Sequence, residues 1–170
     1  EQYGGVYFDT DVEVVRDISP LLDDEGFIGF ENDQFVNSGQ VMAAVPHQPV
    51  VQAMIEEYKK LHFTNADGTM NAVGCPRLNS DVMERFGLVR NGQEQIAAGI
   101  HVYPADYFNP LDSATGRLNR TENTYSIHWY SMSWLPRSVR FKSSVTRACR
   151  RVLGVHCFDK IKRMLHRNEI

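Results

Sequence analysis

A chain of 170 residues, 42% hydrophobic and 11% aromatic, can bury one real core, which excludes a disordered or fibrous protein and leaves room for one domain or most of one. The formal charge of −3 hides a split, because residues 1–135 carry 19 acidic against 8 basic side chains and residues 136–170 carry 2 against 10. No apolar run approaches the ~20 residues of a membrane span, no charged-then-apolar leader opens the chain, and Cys75, Cys149 and Cys157 form neither an even disulfide set nor a CxxC pair; a soluble chain in a reducing cytoplasm is the expectation.

The elements follow in chain order. Val6-Tyr7-Phe8 is an apolar, strand-like run that ends on a pair of aspartates. Short β-like runs at 12–15, 27–30 and 40–45 are separated by the turn formers Ser19-Pro20 and Asn32-Asp33. The period then changes: Val50, Val51, Met54, Ile55, Tyr58 and Leu61 recur at helical spacing, with Pro49 suited to the first turn. A polar loop over 64–74 leads to a predicted short helix at 80–86, capped by Ser80 and closed by Gly87. A second β region is predicted at 100–103, an exposed loop at 112–123 and a strand at 125–130. Two helices, 138–153 and 157–165, parted by Gly154, close the chain, with Phe158, Ile161 and Leu165 forming an apolar face rimmed by Lys160, Lys162, Arg163 and Arg167. Strands alternating with helices predict an α/β fold, a mixed sheet flanked by helices, with a basic helical tail.

Asp9-Thr10-Asp11 sits at the end of a strand, where an open α/β sheet presents ligands. Two carboxylates there can hold Mn²⁺ or Mg²⁺, hard cations that combine one or two carboxylates with phosphate oxygens of a substrate. The triplet alone proves nothing, since chance supplies roughly 0.7 per chain at this aspartate content. Its surroundings decide.

Tyr3-Gly4-Gly5-Val6-Tyr7-Phe8-Asp9-Thr10-Asp11-Val12-Glu13 resembles the GGVYxDxDxE signature of glycosyltransferase family 32, the DXD sugar-transferase group. Three later stretches agree in order. Asn37-Ser38-Gly39 through His47-Gln48-Pro49 resembles the family's asparagine-containing strand and following helix; Val102-Tyr103-Pro104 with Tyr107-Phe108-Asn109-Pro110 resembles its YPxxYFxP stretch; Ile127-His128-Trp129 with Ser133-Trp134 resembles its terminal HxxxxSW element. The resemblance covers residues 3–135 and implies the carboxy-terminal part of a GT-A-like catalytic domain, followed by a basic amphipathic tail at 136–170. Family members carry roughly 70 to 100 residues before the Gly-Gly, holding the first strands of the nucleotide-binding half, so the front of the fold is expected to be missing and the chain alone weakly active. Gly74-Cys75-Pro76 also departs from the family's usual Thr-Gly-Pro turn.

Carried over residue by residue, Asp11 would bind the metal, Asp9 would contact donor hydroxyls and assist the metal, and His128 would be a third ligand. Ser133 and Trp134 would close on the donor diphosphate, and Asn37 would read a sugar hydroxyl or merely shape its turn. Glu13 reads as an exposed charge or as support for the pair. The implied function is metal-dependent, retaining transfer of a sugar from a nucleoside-diphosphate sugar, UDP-linked, to a glycan or lipid-linked glycan, with no nucleic acid as partner and an anionic membrane surface as one destination for the tail. The tail's other destination is the acidic body. The rival readings are a haloacid dehalogenase-type phosphatase, whose first motif is also D-x-D but continues with Gly-Thr and not Val12-Glu13, and a truncated, non-catalytic sugar-nucleotide binder.

Overall fold

The computed structural model describes residues 1–62, 64–65, 67–69, 71, 73–133 and 135–166, the last helix at residues 162, 165 and 166 by its backbone only. The chain folds as an α/β protein. Its main sheet is open and runs β1 (Gly5–Tyr7), β5 (Met42–Ala44), β3 (Gly26–Asn32), β7 (Ile100–Tyr103), β6 (Gln95–Ala97), with β4 (Phe35–Val36) hairpinned onto the end of β3. Only β3 and β7 are parallel; every other pairing is antiparallel. A separate two-stranded ladder joins β2 (Val12–Val14) to β8 (Ser126–His128).

β3 is central because it is apolar on both faces. Ile28 and Phe30 point to one side, where they meet Val50 and Met54 of α1 (Pro49–Lys59) and Val82 and Met83 of α2 (Cys75–Glu84). Phe27 points to the other, against Leu21, Val41, Tyr103 and Phe108, the last from the single turn α3 (Ala105–Phe108). Gly29 must lack a side chain: a Cβ there would lie 2.6 Å from both the Gln40 amide and the Phe108 ring.

α1 begins where its sequence predicts. Gln48 caps it by accepting the Val50 N–H at 2.6 Å, Pro49 occupies the first turn, and the Gln48 amide reaches across to the Ala98 carbonyl. α2 departs from expectation by starting five residues earlier, at Cys75, with Pro76 in its first turn. Ser80 is therefore no cap but lies mid-helix and buried, where its hydroxyl donates to the Pro76 carbonyl and accepts the Val36 N–H at 2.9 Å. Its neighbour Asn79 donates to the Ser38 hydroxyl at 2.7 Å. One face of α2 thus grips the segment that carries Asn37. The predicted strand at 125–130 is shorter, and β6 and α3 are additional elements.

The chain closes with α4 (Arg137–Leu153) and α5 (Val155–His166), separated by Gly154 at φ 80°, a conformation in which glycine carries no steric penalty. Phe158 is half-buried: its ring lies under the Arg150 guanidinium, which also pairs with Asp159 at 2.8 Å. α5 therefore turns part of its predicted apolar face toward α4, and Leu165 and Arg167 of that face lie outside the described side chains.

A candidate metal centre where two sheets meet

Asp9 follows the last residues of β1, and its N–H is held by the Gly39 carbonyl at 2.9 Å. Three residues later the chain enters β2, whose pairing sets Val12 opposite His128. The Asp9-Thr10-Asp11 turn is thus the corner at which the chain leaves the main sheet for the two-stranded ladder. Sequence neighbours on the aspartate side and strand pairing on the histidine side bring one ligand atom from each of Asp9, Asp11 and His128 within 4.8 Å of one another.

Each side chain is held. Tyr7 donates its hydroxyl to Asp9 Oδ1 at 2.7 Å, and that hydrogen bond, then burial and the Asp9 charge, raises the tyrosine pKa. Asp11 Oδ2 accepts the Ser131 N–H at 2.8 Å, and Asp11 Oδ1 lies 3.3 Å from His128 Nε2. Partial burial raises the Asp11 carboxyl, but the Ser131 hydrogen bonds and the His128 charge outweigh it and hold its pKa below the usual 3.8. The loop after β8 bends back over Asp11 through Tyr130 and Met132, both left-handed at φ 50° and 46°. Such backbone costs of order 1–3 kcal/mol per residue and persists only where the surroundings over-determine it. Here the Tyr130 ring packs 4.1 Å from the His128 ring, and its hydroxyl donates to Asn109 Oδ1 at 3.0 Å.

The arrangement fits a divalent ion. Donors around Mn²⁺ or Mg²⁺ at about 2.1 Å lie about 3.0 Å apart in cis and about 4.2 Å in trans, so the 3.3 Å Asp11–His128 contact already spans one edge of such a shell, and Asp9 offers a third ligand atom within 4.8 Å of both. The charge balance agrees: among the described residues neither Asp9 nor Asp11 is paired with a lysine or arginine. His128 Nδ1 is buried without a partner among the described residues, so the ring's polar attachment is on its Nε2 side alone, facing the carboxylates.

The remaining predicted site residues fall out differently. Asn37 is buried and committed at both ends, its Oδ1 accepting the Gly39 N–H and the Cys75 thiol and its Nδ2 donating to Glu31 at 3.0 Å. Its place is to shape the turn whose Gly39 carbonyl anchors Asp9. Glu13 accepts the Trp129 indole N–H at 3.0 Å and so ties β2 to the end of β8. Ser133 is exposed; the backbone contact to Asp11 comes from Ser131 instead. Trp134 lies outside the described residues.

Sequence reading missed Glu31, Tyr130 and Ser131. Glu31 joins Asn37 to the Tyr130 side of the site, and after burial its charge is the main influence raising the Tyr130 pKa. No spacing signal reveals it, since it is the polar end of the otherwise apolar strand β3. Cys75 closes the cluster, its thiol pKa pushed above 9.0 by burial and then by the charges of Asp9 and Glu31. Comparisons with protein-family models, with curated proteins and with solved structures give no match.

Proposed function

We propose that this chain carries the divalent-metal centre of a glycosyltransferase of GT-A type, moving a sugar from a nucleoside-diphosphate sugar to a glycan or lipid-linked glycan acceptor. The observation that carries the reading is the convergence of Asp9, Asp11 and His128 at a strand end, with neither carboxylate paired with a lysine or arginine among the described residues. The order of motifs resembling the DXD sugar-transferase family supports it.

An ion at this site would neutralise charge on the departing diphosphate and fix its orientation. The chain's own residues prepare the place. Asp9 and Asp11 supply oxygen ligands with geometry set by the Gly39 carbonyl, the Tyr7 hydroxyl and the Ser131 N–H, and His128 adds a ring nitrogen. The hydrogen bond from Ser131 favours the ionised form of Asp11, the form that can ligate a cation. Glu31 is committed to the Asn37 amide, and a same-face substitution, which needs no nucleophile and acid pair, is the proposed route to retained configuration.

Calorimetric titration tests the reading. Mn²⁺ should bind the wild-type chain, bind more tightly with UDP present, and fail to bind Asp11→Asn. Wild-type affinity in Asp11→Asn removes the metal assignment, and Mg²⁺-dependent hydrolysis of p-nitrophenyl phosphate transfers the site to the phosphatase class.

A further inference from the structure

We propose that the α4–α5 hairpin is a docking surface for an anionic lipid bilayer, engaged through the stripe Phe141, Val145, Ala148 and Val152 of α4. These positions fall at i, i+4, i+7 and i+11, within a narrow arc of one helix face. All four are exposed, Phe141 at 71% and Val152 at 83%. A soluble helix normally turns such a stripe inward; here none of the α4 residues is buried.

The charge around the stripe selects the partner. Arg137 lies at its leading end, Arg140 flanks one side and Lys142 the other, so an apolar strip is framed by cations, the pattern of a helix lying in a headgroup layer. The acidic body does not consume these charges. α4 is fastened to the body through backbone carbonyls: Arg151 donates to Thr115 O and Gly116 O, and Arg117 donates back to Arg151 O. The hairpin's ion pair, Arg150 with Asp159, is internal, and among the described residues no ion pair joins 136–170 to the acidic side chains of 1–135. No described helix is long and apolar enough to cross a membrane, so α4, about 25 Å long, would lie along the surface. Five residues separate Ser131, which holds Asp11, from the start of α4, so the candidate metal centre stays within about 20 Å of that helix along the chain.

The proposal does not depend on the metal reading, and its test keeps the two apart. The full chain would be sedimented with phosphatidylcholine vesicles containing or lacking phosphatidylglycerol, and its helicity followed by circular dichroism. Binding should require phosphatidylglycerol and fall as NaCl is raised. Phe141→Ser/Val152→Ser should weaken it at least about tenfold, and Arg137→Gln/Lys142→Gln about twenty-five-fold, near fivefold per charge. Both variants alter exposed side chains and should keep wild-type helicity, and Asp11→Asn should bind vesicles as the wild type does. Absence of binding at low salt overturns the proposal. So does binding indifferent to the two apolar substitutions, or a dimer in solution that those substitutions dissolve while vesicles are ignored, which would make the stripe a self-association face.

Discussion

Replacing Gly39 by alanine isolates the geometry of the metal centre from its chemistry, because no ligand is changed. Gly39 is outside the left-handed region, so alanine costs nothing in backbone strain. The new Cβ, however, would stand 2.6 Å from Asp9 Oδ2 and 3.1 Å from Asn37 Oδ1. Relief to an ordinary 3.4 Å contact requires the Asp9 carboxylate to move by about 0.8 Å, several times the roughly 0.2 Å that metal–ligand distances tolerate. That movement also strains the 2.7 Å hydrogen bond from Tyr7. Tyr7 is exposed, so its loss should lower folding stability by about 1 kcal/mol or less. Metal affinity should suffer more, by at least about tenfold, or about 1.4 kcal/mol. Calorimetry with Mn²⁺ and a thermal melt on the same sample read both quantities. If Gly39→Ala binds Mn²⁺ within about twofold of wild type, Asp9 is not positioned as described. If the melt collapses instead, the glycine serves the fold and not the site.

Two further outcomes follow from the electrostatics. Asp112 organises the 112–118 turn on which Arg151 docks; burial raises its carboxyl, yet hydrogen bonds from Thr115 and Ala114 outweigh that and hold its folded pKa below 3.8. A depressed folded value means the stabilisation is fully present above about pH 4 and is lost as pH falls through the lower, folded pKa, so the melting advantage of wild type over Asp112→Ala should be constant from pH 8 to 5 and vanish in stronger acid; an advantage that grows on acidification refutes the assignment. Cys75 is partly buried with its pKa raised, whereas Cys157 is exposed, so iodoacetamide at pH 8 should label Cys157 first, and Asp9→Asn should speed labelling of Cys75 by removing a neighbouring charge; peptide mass spectrometry that finds Cys75 labelled as fast as Cys157 would contradict this burial and charge.

Much of the fold is legible from local pattern. α1 announces itself through Pro49 and a 3.6-residue period, the break at Gly154 separates the last two helices, and the apolar run before Asp9 marks β1 as a strand that ends on two carboxylates. Each depends on neighbours in sequence, where propensity and period act directly. Ser80 shows the limit, because serine caps helices and also bonds back within them, and only the approach of Val36 decides which. Short elements such as β6 carry too few residues for a period to register.

The sequence by itself determined that two carboxylates stand at a strand end and that the tail is basic and helical. Resemblance, not spacing, pointed to His128. Tertiary structure alone decided that His128 reaches Asp11, since that contact is made by the pairing of β2 with β8 across more than a hundred intervening residues. It likewise decided that Asn37 is spent on the turn behind Asp9, that Glu31 belongs to the cluster, and that α4 carries an uncovered apolar stripe. The reason is common to all four: burial and hydrogen-bond partners are set by what packs across the chain, which no local period encodes.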